Sequence, residues 1–446
     1  MIWLLYDFLL VVAGLIMAPH LILKMRRRGG YRENFGNRLG RFSQSQRDAF
    51  GDGGAILIHA ASVGEVGVAF QFIEALRRDD PSLCFVVSVT SSTGWKEAER
   101  RLSPPDALVY CPIDLPFAVA RALDAIRPSA FVMVETEIWP NLLRACHARG
   151  IPMAIVNGRI SDKSAPSYRR LRFLFGPALR LVRLILAQSA LDAERFEAAG
   201  ANPASIKVTG SFKFDVARRN EAKEAAWKPL LAQLGLLPPT LLLVGASTWE
   251  GEEALLMDCY LRLRQRHPAL RLALVPRHFE RRPAVEAAAA ARSLCAVRKS
   301  DLDAASSSDS RAPSRVKTAF GQDEILLVDT TGEMMGLYPF ATIAVVGRSF
   351  RSRGGQNMIE PCLCGVPTIV GPETQNFRPV MADLLASKAL IQVPDDAALE
   401  KALDALLRDA AEREALGRRA SEAVLARRGA VGVCAAAFRE ACLGRQ

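Results

Sequence analysis

Two successive series of short apolar runs constrain the fold of this chain more than any other feature. The first series lies between residues 55 and 210 and consists of seven runs: AILIH, CFVVSVT, ALVYCP, AFVMVE, PMAIVNG, LILAQS and IKVTG. Segments with apolar residues at helical spacing separate these runs. Continuous apolar strands that alternate with helices indicate a parallel sheet with helices on both faces.

A second series of six runs follows a charged stretch near residues 212–225: TLLLVGAS, RLALVPR, EILLVDT, ATIAVVG, VPTIVGP and ALIQV. The length of 446 residues also suits two domains. We therefore predict an α/β protein with two doubly wound, Rossmann-like domains, residues 25–215 and 216–446. Two such domains bind ligands at the carboxyl ends of their strands, facing a shared cleft, as in the GT-B glycosyltransferase architecture.

Residues 1–24 are mostly apolar, and basic residues follow them directly. A cleaved signal peptide would carry its positive charge before the apolar stretch, so the pattern fits one poorly. The length just reaches that of a spanning helix, and the basic flank would keep the body cytoplasmic. We predict a membrane anchor at the inner membrane, either a spanning helix or a helix lying on the anionic surface.

The net charge of +11 favours an anionic partner, which composition alone cannot identify. Nine cysteines form no CxxC pair, and several lie inside apolar runs, as expected in a reducing cytosol. The five histidines show no metal-ligand spacing, so we predict no metal site. Basic residues concentrate beside the apolar N-terminus without the aromatic interleaving typical of RNA-binding proteins, so we predict no nucleic-acid partner.

In the second predicted domain, polar motifs follow the ends of strands. Arg277 and His278 follow LALV, where an arginine can grip a phosphate, although a basic surface turn explains the motif equally well. Gly332, Glu333 and Met334 follow ILLV at a turn that opens a helix. Their backbone N–H groups can bind an anion or a base edge, or they simply cap the helix.

The strongest of these motifs is GGQNMIEP. Gly354 and Gly355 let the backbone approach a phosphate, and a helix beginning near Gln356 places Asn357 and Glu360 on one face. A carboxylate at that point can accept hydrogen bonds from both hydroxyls of a ribose. The whole string favours nucleotide binding over an ordinary Gly-Gly turn.

In the first predicted domain, Glu65 lies between the run AILIH and a helical pattern that begins at Val66. It is either a solvated residue near a helix start or a base at the mouth of a cleft. Glu135 and Glu137 end another strand, and Lys213 lies near the domain boundary. Glutamate and lysine near a cleft suit proton removal and stabilisation of a departing phosphate, whereas a solvated charge or a salt bridge is the ordinary alternative.

Seven motifs, in this order, make the chain resemble the bacterial 3-deoxy-D-manno-octulosonic acid (Kdo) transferases of lipopolysaccharide assembly: HAASVGEV, VETEIWPN, VTGSFKFD, ASTWEGEE, PRHFER, DTTGEMMGLY and GGQNMIEP with GVPTIVGP. The resemblance covers essentially the whole chain. It implies an inverting GT-B glycosyltransferase that uses CMP-Kdo as donor and a phosphorylated lipid A precursor, lipid IVA, as acceptor. CMP-Kdo is then a substrate, and no cofactor is expected.

By motif match, the resemblance implies that Glu65 is the general base and that Glu135 and Lys213 stabilise the transition state. It implies that CMP is bound by Arg277, His278, Gly332, Glu333, Met334, Asn357, Met358, Ile359 and Glu360. Trp249 and Gln356 stand where the family often has histidine, which bears on the donor contacts. Two alternatives stay open: another GT-B enzyme with a UDP-sugar donor and a membrane lipid acceptor, and a membrane-tethered protein that binds nucleic acid.

Overall fold

The structure is a computed structural model and describes residues 2–28, 33–306 and 320–444, except the side chains of residues 18–28 and 305–306. The chain divides into two compact units. The first comprises Met1–Phe212 together with Gly429–Gln446, and the second comprises Lys213–Arg428.

The first unit is built on a parallel sheet of seven strands in the order β3-β2-β1-β4-β5-β6-β7. Its strands are β1 Ile56–Ala60, β2 Phe85–Val89, β3 Ala107–Tyr110, β4 Ala130–Val134, β5 Met153–Gly158, β6 Leu184–Ala187 and β7 Ile206–Val208. All seven coincide with the predicted runs. The order reverses between β1 and β4, which makes the carboxyl ends of these two strands the switch point where doubly wound sheets bind ligands.

The second unit has a parallel sheet in the order β10-β11-β9-β8-β12-β13-β14. Its strands are β8 Leu241–Thr248, β9 Leu270–Pro276, β10 Cys295–Arg298, β11 Glu324–Leu327, β12 Ile343–Val346, β13 Thr368–Val370 and β14 Ile391–Gln392. Six were predicted. The sequence analysis missed β10 because this edge strand is partly exposed and carries no continuous apolar run. The switch point of this sheet lies between β8 and β12.

Helices connect consecutive strands and cover the sheets, and a short π-helix, Arg439–Leu443, follows the last of them. They are α1 Ile2–Arg28, α2 Gln44–Phe50, α3 Val63–Asp79, α4 Ser92–Glu99, α5 Pro116–Ile126, α6 Pro140–Ala148, α7 Ala165–Arg170, α8 Arg172–Leu179, α9 Ala190–Ala199, α10 Lys213–Val216, α11 Glu221–Gln233, α12 Glu252–Leu263, α13 Arg282–Ala290, α14 Lys299–Ser306, α15 Met334–Leu337, α16 Ile359–Leu363, α17 Arg378–Ala386, α18 Asp396–Arg408, α19 Ala410–Leu425 and α20 Ala430–Phe438.

The last helix returns to the first unit and packs against α3. Phe438 is fully buried, and its ring meets that of Phe72 edge to face at a centroid distance of 5.5 Å. Phe72 also stacks on Phe212 at 6.4 Å. The prediction that residues 216–446 form one domain is therefore wrong from Gly429 onward, because α20 buries its apolar side chains in the core of the first unit.

The N-terminal helix α1 docks on the first unit through its first two turns. The Tyr6 hydroxyl donates to Asp114 Oδ2 at 2.7 Å, and the Asn141 amide donates to Asp7 Oδ1 at 2.6 Å. No helix in the described part of the chain combines the length and the apolar character needed to cross a bilayer. The spanning form of the anchor predicted at residues 1–24 therefore finds no support.

Candidate active site

Glu65 is the third residue of α3, one short turn after β1. The hydroxyl of Ser62 caps this helix by accepting the backbone N–H of Glu65 at 3.3 Å. The Glu65 carboxylate turns back over the same turn. Its Oε2 accepts the backbone N–H of Ala61 at 2.8 Å, and its Oε1 accepts the Ser62 hydroxyl at 2.7 Å. The carboxylate thus stabilises the helix start with two of its roughly four acceptor positions.

The surroundings of Glu65 favour uptake of a proton. Burial raises the pKa of its carboxyl above the ordinary glutamate value. The hydrogen bonds from Ser62 and Ala61 oppose this shift, whereas the negative charges of Glu135 and Glu137 add to it. A carboxylate with a raised pKa is a better proton acceptor near neutral pH, so the geometry is compatible with a general base as well as with a helix cap.

Glu135 follows β4, on the other side of the switch point. Its φ of +60° lies in the left-handed region, which residues other than glycine rarely adopt. Its backbone N–H donates to Val156 O at 3.0 Å, and its carboxylate accepts from Arg159 at 3.3 Å. Strained backbone is concentrated at functional sites, and here it places a second carboxylate within electrostatic reach of Glu65.

A buried histidine that the sequence analysis did not select lies near the end of β1, in contact with the loop that follows β4. The ring of His59 is fully buried at the end of β1, with Nδ1 at 3.1 Å from Ser88 O. Its Nε2 accepts the indole N–H of Trp139 at 3.3 Å and lies 3.6 Å from the Glu137 carboxylate. His59 therefore ties the end of β1 to the loop that follows β4. A polar residue inside the apolar run AILIH was the signal for it.

In the second unit, Glu252 at the start of α12 joins the two loops of the switch point. Its side chain is buried, and Oε2 accepts the backbone N–H groups of Trp249 at 2.8 Å and Arg348 at 2.7 Å. Oε1 accepts those of Ser349 at 2.9 Å and Phe350 at 3.0 Å. One carboxylate thus fixes the residues that follow β8 and β12, and four N–H groups use its acceptor positions.

The predicted phosphate-binding pair, Arg277 and His278, follows β9 and is exposed. The Arg277 backbone N–H donates to Thr248 O at 3.0 Å, which places the pair beside the end of β8. The His278 ring meets the Trp249 ring edge to face at 5.4 Å. The structure thus brings this pair to the switch point of the second sheet.

The predicted loop Gly332–Met334 follows β11, at the same edge of the sheet. Gly332 has a φ of +77°, and Met334 begins α15. The Glu333 carboxylate is occupied within the protein, since it accepts the Trp227 indole N–H at 3.0 Å and the Thr330 hydroxyl at 3.1 Å. The side chain of Glu333 therefore holds the loop.

The motif GGQNMIEP forms an extended turn rather than the predicted helix from Gln356, because α16 begins only at Ile359. Asn357 precedes the helix and accepts the Ile359 backbone N–H at 3.1 Å. Met358 and Ile359 bury their side chains in the core. Burial raises the pKa of Glu360, and a hydrogen bond from Asn357 partly offsets this shift.

Comparison with known proteins identifies the family. The family model of the 3-deoxy-D-manno-octulosonic-acid transferases (kdotransferases) matches residues 33–216. The 3-deoxy-D-manno-octulosonic acid transferase of Bordetella pertussis is 35% identical over 384 residues, and that of Haemophilus influenzae is 30% identical over 383. Each alignment covers 84% of this chain and 84% of the relative. The chain belongs to the Kdo transferase family.

Solved structures with little sequence identity share the fold of this Kdo transferase. A UDP-GlcNAc 2-epimerase from Neisseria meningitidis matches with a TM-score of 0.56 and 12% identity, over 88% of this chain and 100% of the other. A glycosyltransferase from Rickettsia africae matches with a TM-score of 0.56 and 11% identity, over 89% and 100%. These matches confirm two parallel-sheet domains of the GT-B kind, and the family confirms a glycosyltransferase.

Lys213 of the Kdo transferase opens α10 and belongs to the second unit, not to the predicted first domain. Its ammonium group donates to Asn376 O at 2.8 Å and lies 4.2 Å from the centroid of the Phe377 ring. The predicted boundary at residue 215 therefore lies a few residues too late. The roles assigned to Lys213 and to the other site residues stay predictions.

Within residues 2–28, 33–306 and 320–444, no group of three or more His, Cys, Asp or Glu side chains is arranged to hold a metal ion. Whether the Kdo transferase works without a metal or a cofactor stays a prediction.

Proposed function

We propose that this Kdo transferase moves Kdo from CMP-Kdo to a lipid A precursor, lipid IVA, in lipopolysaccharide assembly. The observation that carries the proposal is the position of Glu65 at the switch point of the first sheet. There, burial and two neighbouring carboxylates raise its pKa while part of its acceptor capacity stays open.

In the proposed reaction, Glu65 accepts the proton of an acceptor hydroxyl, and the hydroxyl oxygen attacks the anomeric carbon of Kdo. The bond from that carbon to the CMP phosphate breaks on the opposite face, and its electron pair leaves with the phosphate. Glu135 balances positive charge that develops at the anomeric carbon. Lys213 and Arg277 offset the negative charge of the departing phosphate.

The second unit is proposed to bind CMP through strand-end groups. Arg277 and His278 suit the phosphate, and the backbone at Gly332–Met334 suits the base. Glu360 suits the ribose hydroxyls, because its carboxylate is half-buried and its neighbour Asn357 already orients it. Family membership supports these assignments.

The membrane contact is proposed to lie on α1. Leu4, Phe8 and Leu15 follow each other at helical spacing and expose 74%, 65% and 72% of their surface. A row of exposed apolar side chains is typical of a helix that lies in the interface of a bilayer. This placement, on the cytoplasmic side of the inner membrane, brings the enzyme to a lipid acceptor.

Mass spectrometry of the product tests the proposed reaction. The full-length enzyme, CMP-Kdo and tetra-acylated lipid IVA are expected to yield the acceptor plus one or more Kdo residues. UDP-sugars in place of CMP-Kdo serve as the control and are expected to yield no glycosylated product. Transfer from a UDP-sugar alone would contradict the proposal in favour of another GT-B activity.

A further inference from the structure

Arg348 is a cation at the switch point of the second sheet that no predicted role uses. It follows β12, and its guanidinium carbon lies 4.5 Å from the centroid of the Trp249 ring, which follows β8. The backbone of Gly354 is also close, since a Cβ built there would be 3.4 Å from Arg348 Nε. The guanidinium therefore lies beside both an aromatic face and a glycine turn.

The cation lacks a counter-charge among the residues that the structure describes. No carboxylate forms a salt bridge with its side chain there, and the nearby Glu252 already accepts four backbone N–H groups. Arg348 Nε and the indole Nε1 of Trp249 are both buried and have no hydrogen-bond acceptor in the described part of the protein. The Arg348 guanidinium and the Trp249 indole thus bring two unpaired donors and a positive charge to the switch point, and no acceptor in the described part of the protein satisfies them.

The backbone at Arg348 is also strained. Its φ is +56°, a left-handed conformation that favours glycine. Glycine or asparagine would adopt this conformation more easily. The folded protein is therefore less stable with arginine at this position than it would be with either of these residues. Strained residues that persist at a ligand-binding edge are expected to serve binding rather than folding.

We propose that Arg348 binds an anionic group of the donor and that Trp249 positions it by stacking. This inference rests on the proposed donor, CMP-Kdo, which carries a phosphate and a sugar carboxylate. Arginine suits both groups, because its planar guanidinium donates paired hydrogen bonds to either. The ring of His278, one of the exposed pair Arg277 and His278, meets the Trp249 ring edge to face at 5.4 Å, so Arg348 and His278 both contact Trp249 at the switch point.

The variant Arg348→Gly tests the proposal without disturbing the fold, since glycine adopts the left-handed φ without strain. Its thermal unfolding temperature is expected to stay close to that of the wild type. Arg353→Gly is the matched control, because it removes the same charge from the same loop where the side chain is 87% exposed. Calorimetric titration with CMP and the KM for CMP-Kdo are measured for each protein.

For Arg348→Gly, we expect about a tenfold or larger rise in the KM for CMP-Kdo, with less than a twofold change in the control, because charged hydrogen bonds are among the strongest. If the Kd for CMP rises equally, the bound anion is the phosphate. If the Kd for CMP is unchanged, it is the sugar carboxylate. Unchanged values for both ligands would overturn the proposal. A wild-type enzyme that transfers no Kdo would instead refute the proposed function, while the CMP titration would still report on a phosphate site.

The positioning role of Trp249 has a separate readout. Trp249→Leu should weaken donor binding in the wild-type background and add little in the Arg348→Gly background, because its effect acts through the guanidinium. Equal effects in both backgrounds would show that Trp249 acts independently of Arg348 and would overturn its positioning role.

Discussion

The helix that follows the first strand of each sheet carries a glutamate in its first turn, Glu65 in α3 and Glu252 in α12. Both carboxylates accept backbone N–H groups from the loops of their switch points, yet they differ in how many positions they use. Glu252 accepts four N–H groups and is 2% exposed. Glu65 accepts one N–H and one hydroxyl, and it is only half-buried.

This difference separates a carboxylate that is fully engaged in the structure from one that can still accept a proton. A glutamate whose lone pairs are all engaged by N–H groups cannot take a proton without losing one of those bonds. Glu65 keeps acceptor capacity, and burial together with two neighbouring carboxylates raises its pKa. The first turn of the corresponding helix therefore holds a structural carboxylate in one unit and a carboxylate suited to acid–base chemistry in the other.

The largest expected effect comes from Glu65→Gln. If Glu65 is the general base, kcat should fall by about 10²–10⁴-fold, as is typical for loss of such a group. The amide oxygen can still accept the Ala61 N–H, so the free energy of unfolding should change by less than about 1 kcal/mol. Calorimetry should show unchanged CMP affinity. Near-normal turnover by the purified variant would reduce Glu65 to a helix-capping residue.

Glu252→Gln should have the opposite effect, a loss of stability with little change in kcat. An amide presents one acceptor oxygen, so at least two of the four N–H groups lose their partner, at a cost of roughly 3 kcal/mol or more in the free energy of unfolding. Urea denaturation measures this loss. At saturating donor, kcat should stay close to the wild-type value while the KM rises. A large fall in kcat with unchanged stability would contradict a structural role.

Glu360→Gln tests the nucleotide-binding unit at a residue that is neither a cap nor a base. Loss of a charged acceptor for ribose hydroxyls should raise the Kd for CMP by about tenfold, with a smaller effect on 2′,3′-dideoxy-CMP, which lacks those hydroxyls. Equal weakening of both nucleotides would point to a general disturbance of the turn before α16.

The sequence was sufficient to predict most of the strands and to place the candidate site residues at strand ends. Strands buried on both faces leave a continuous apolar run, and functional groups follow strand ends, so Glu65 and Glu135 could be located from sequence alone. Contacts between residues that are far apart in the chain could not be predicted from the sequence. The stacking of Arg348 on Trp249 joins loops far apart in the chain, and an Ala-rich pattern does not reveal that α20 packs on α3.

The smallest effect is expected for Glu137→Gln, which tests whether the acidic cluster tunes Glu65. The negative charge of Glu137 raises the pKa of Glu65, so its removal should lower that pKa. The base must be ionised to accept a proton, and a lower pKa keeps it ionised to lower pH. The acid limb of the pH profile of kcat/KM should therefore move to lower pH, by less than about one unit.

Glu74→Gln is the control for this shift, because it removes an exposed carboxylate from the same helix, α3, well away from the helix start. Its acid limb should coincide with that of the wild type. If Glu137→Gln leaves the acid limb in place, another group sets the pH dependence. If it moves the limb to higher pH, Glu137 lowers rather than raises the pKa of the essential base. Either result would show that Glu137 does not raise the pKa of the essential base. It would thereby weaken the contrast between Glu65 as a proton acceptor and Glu252 as a structural carboxylate.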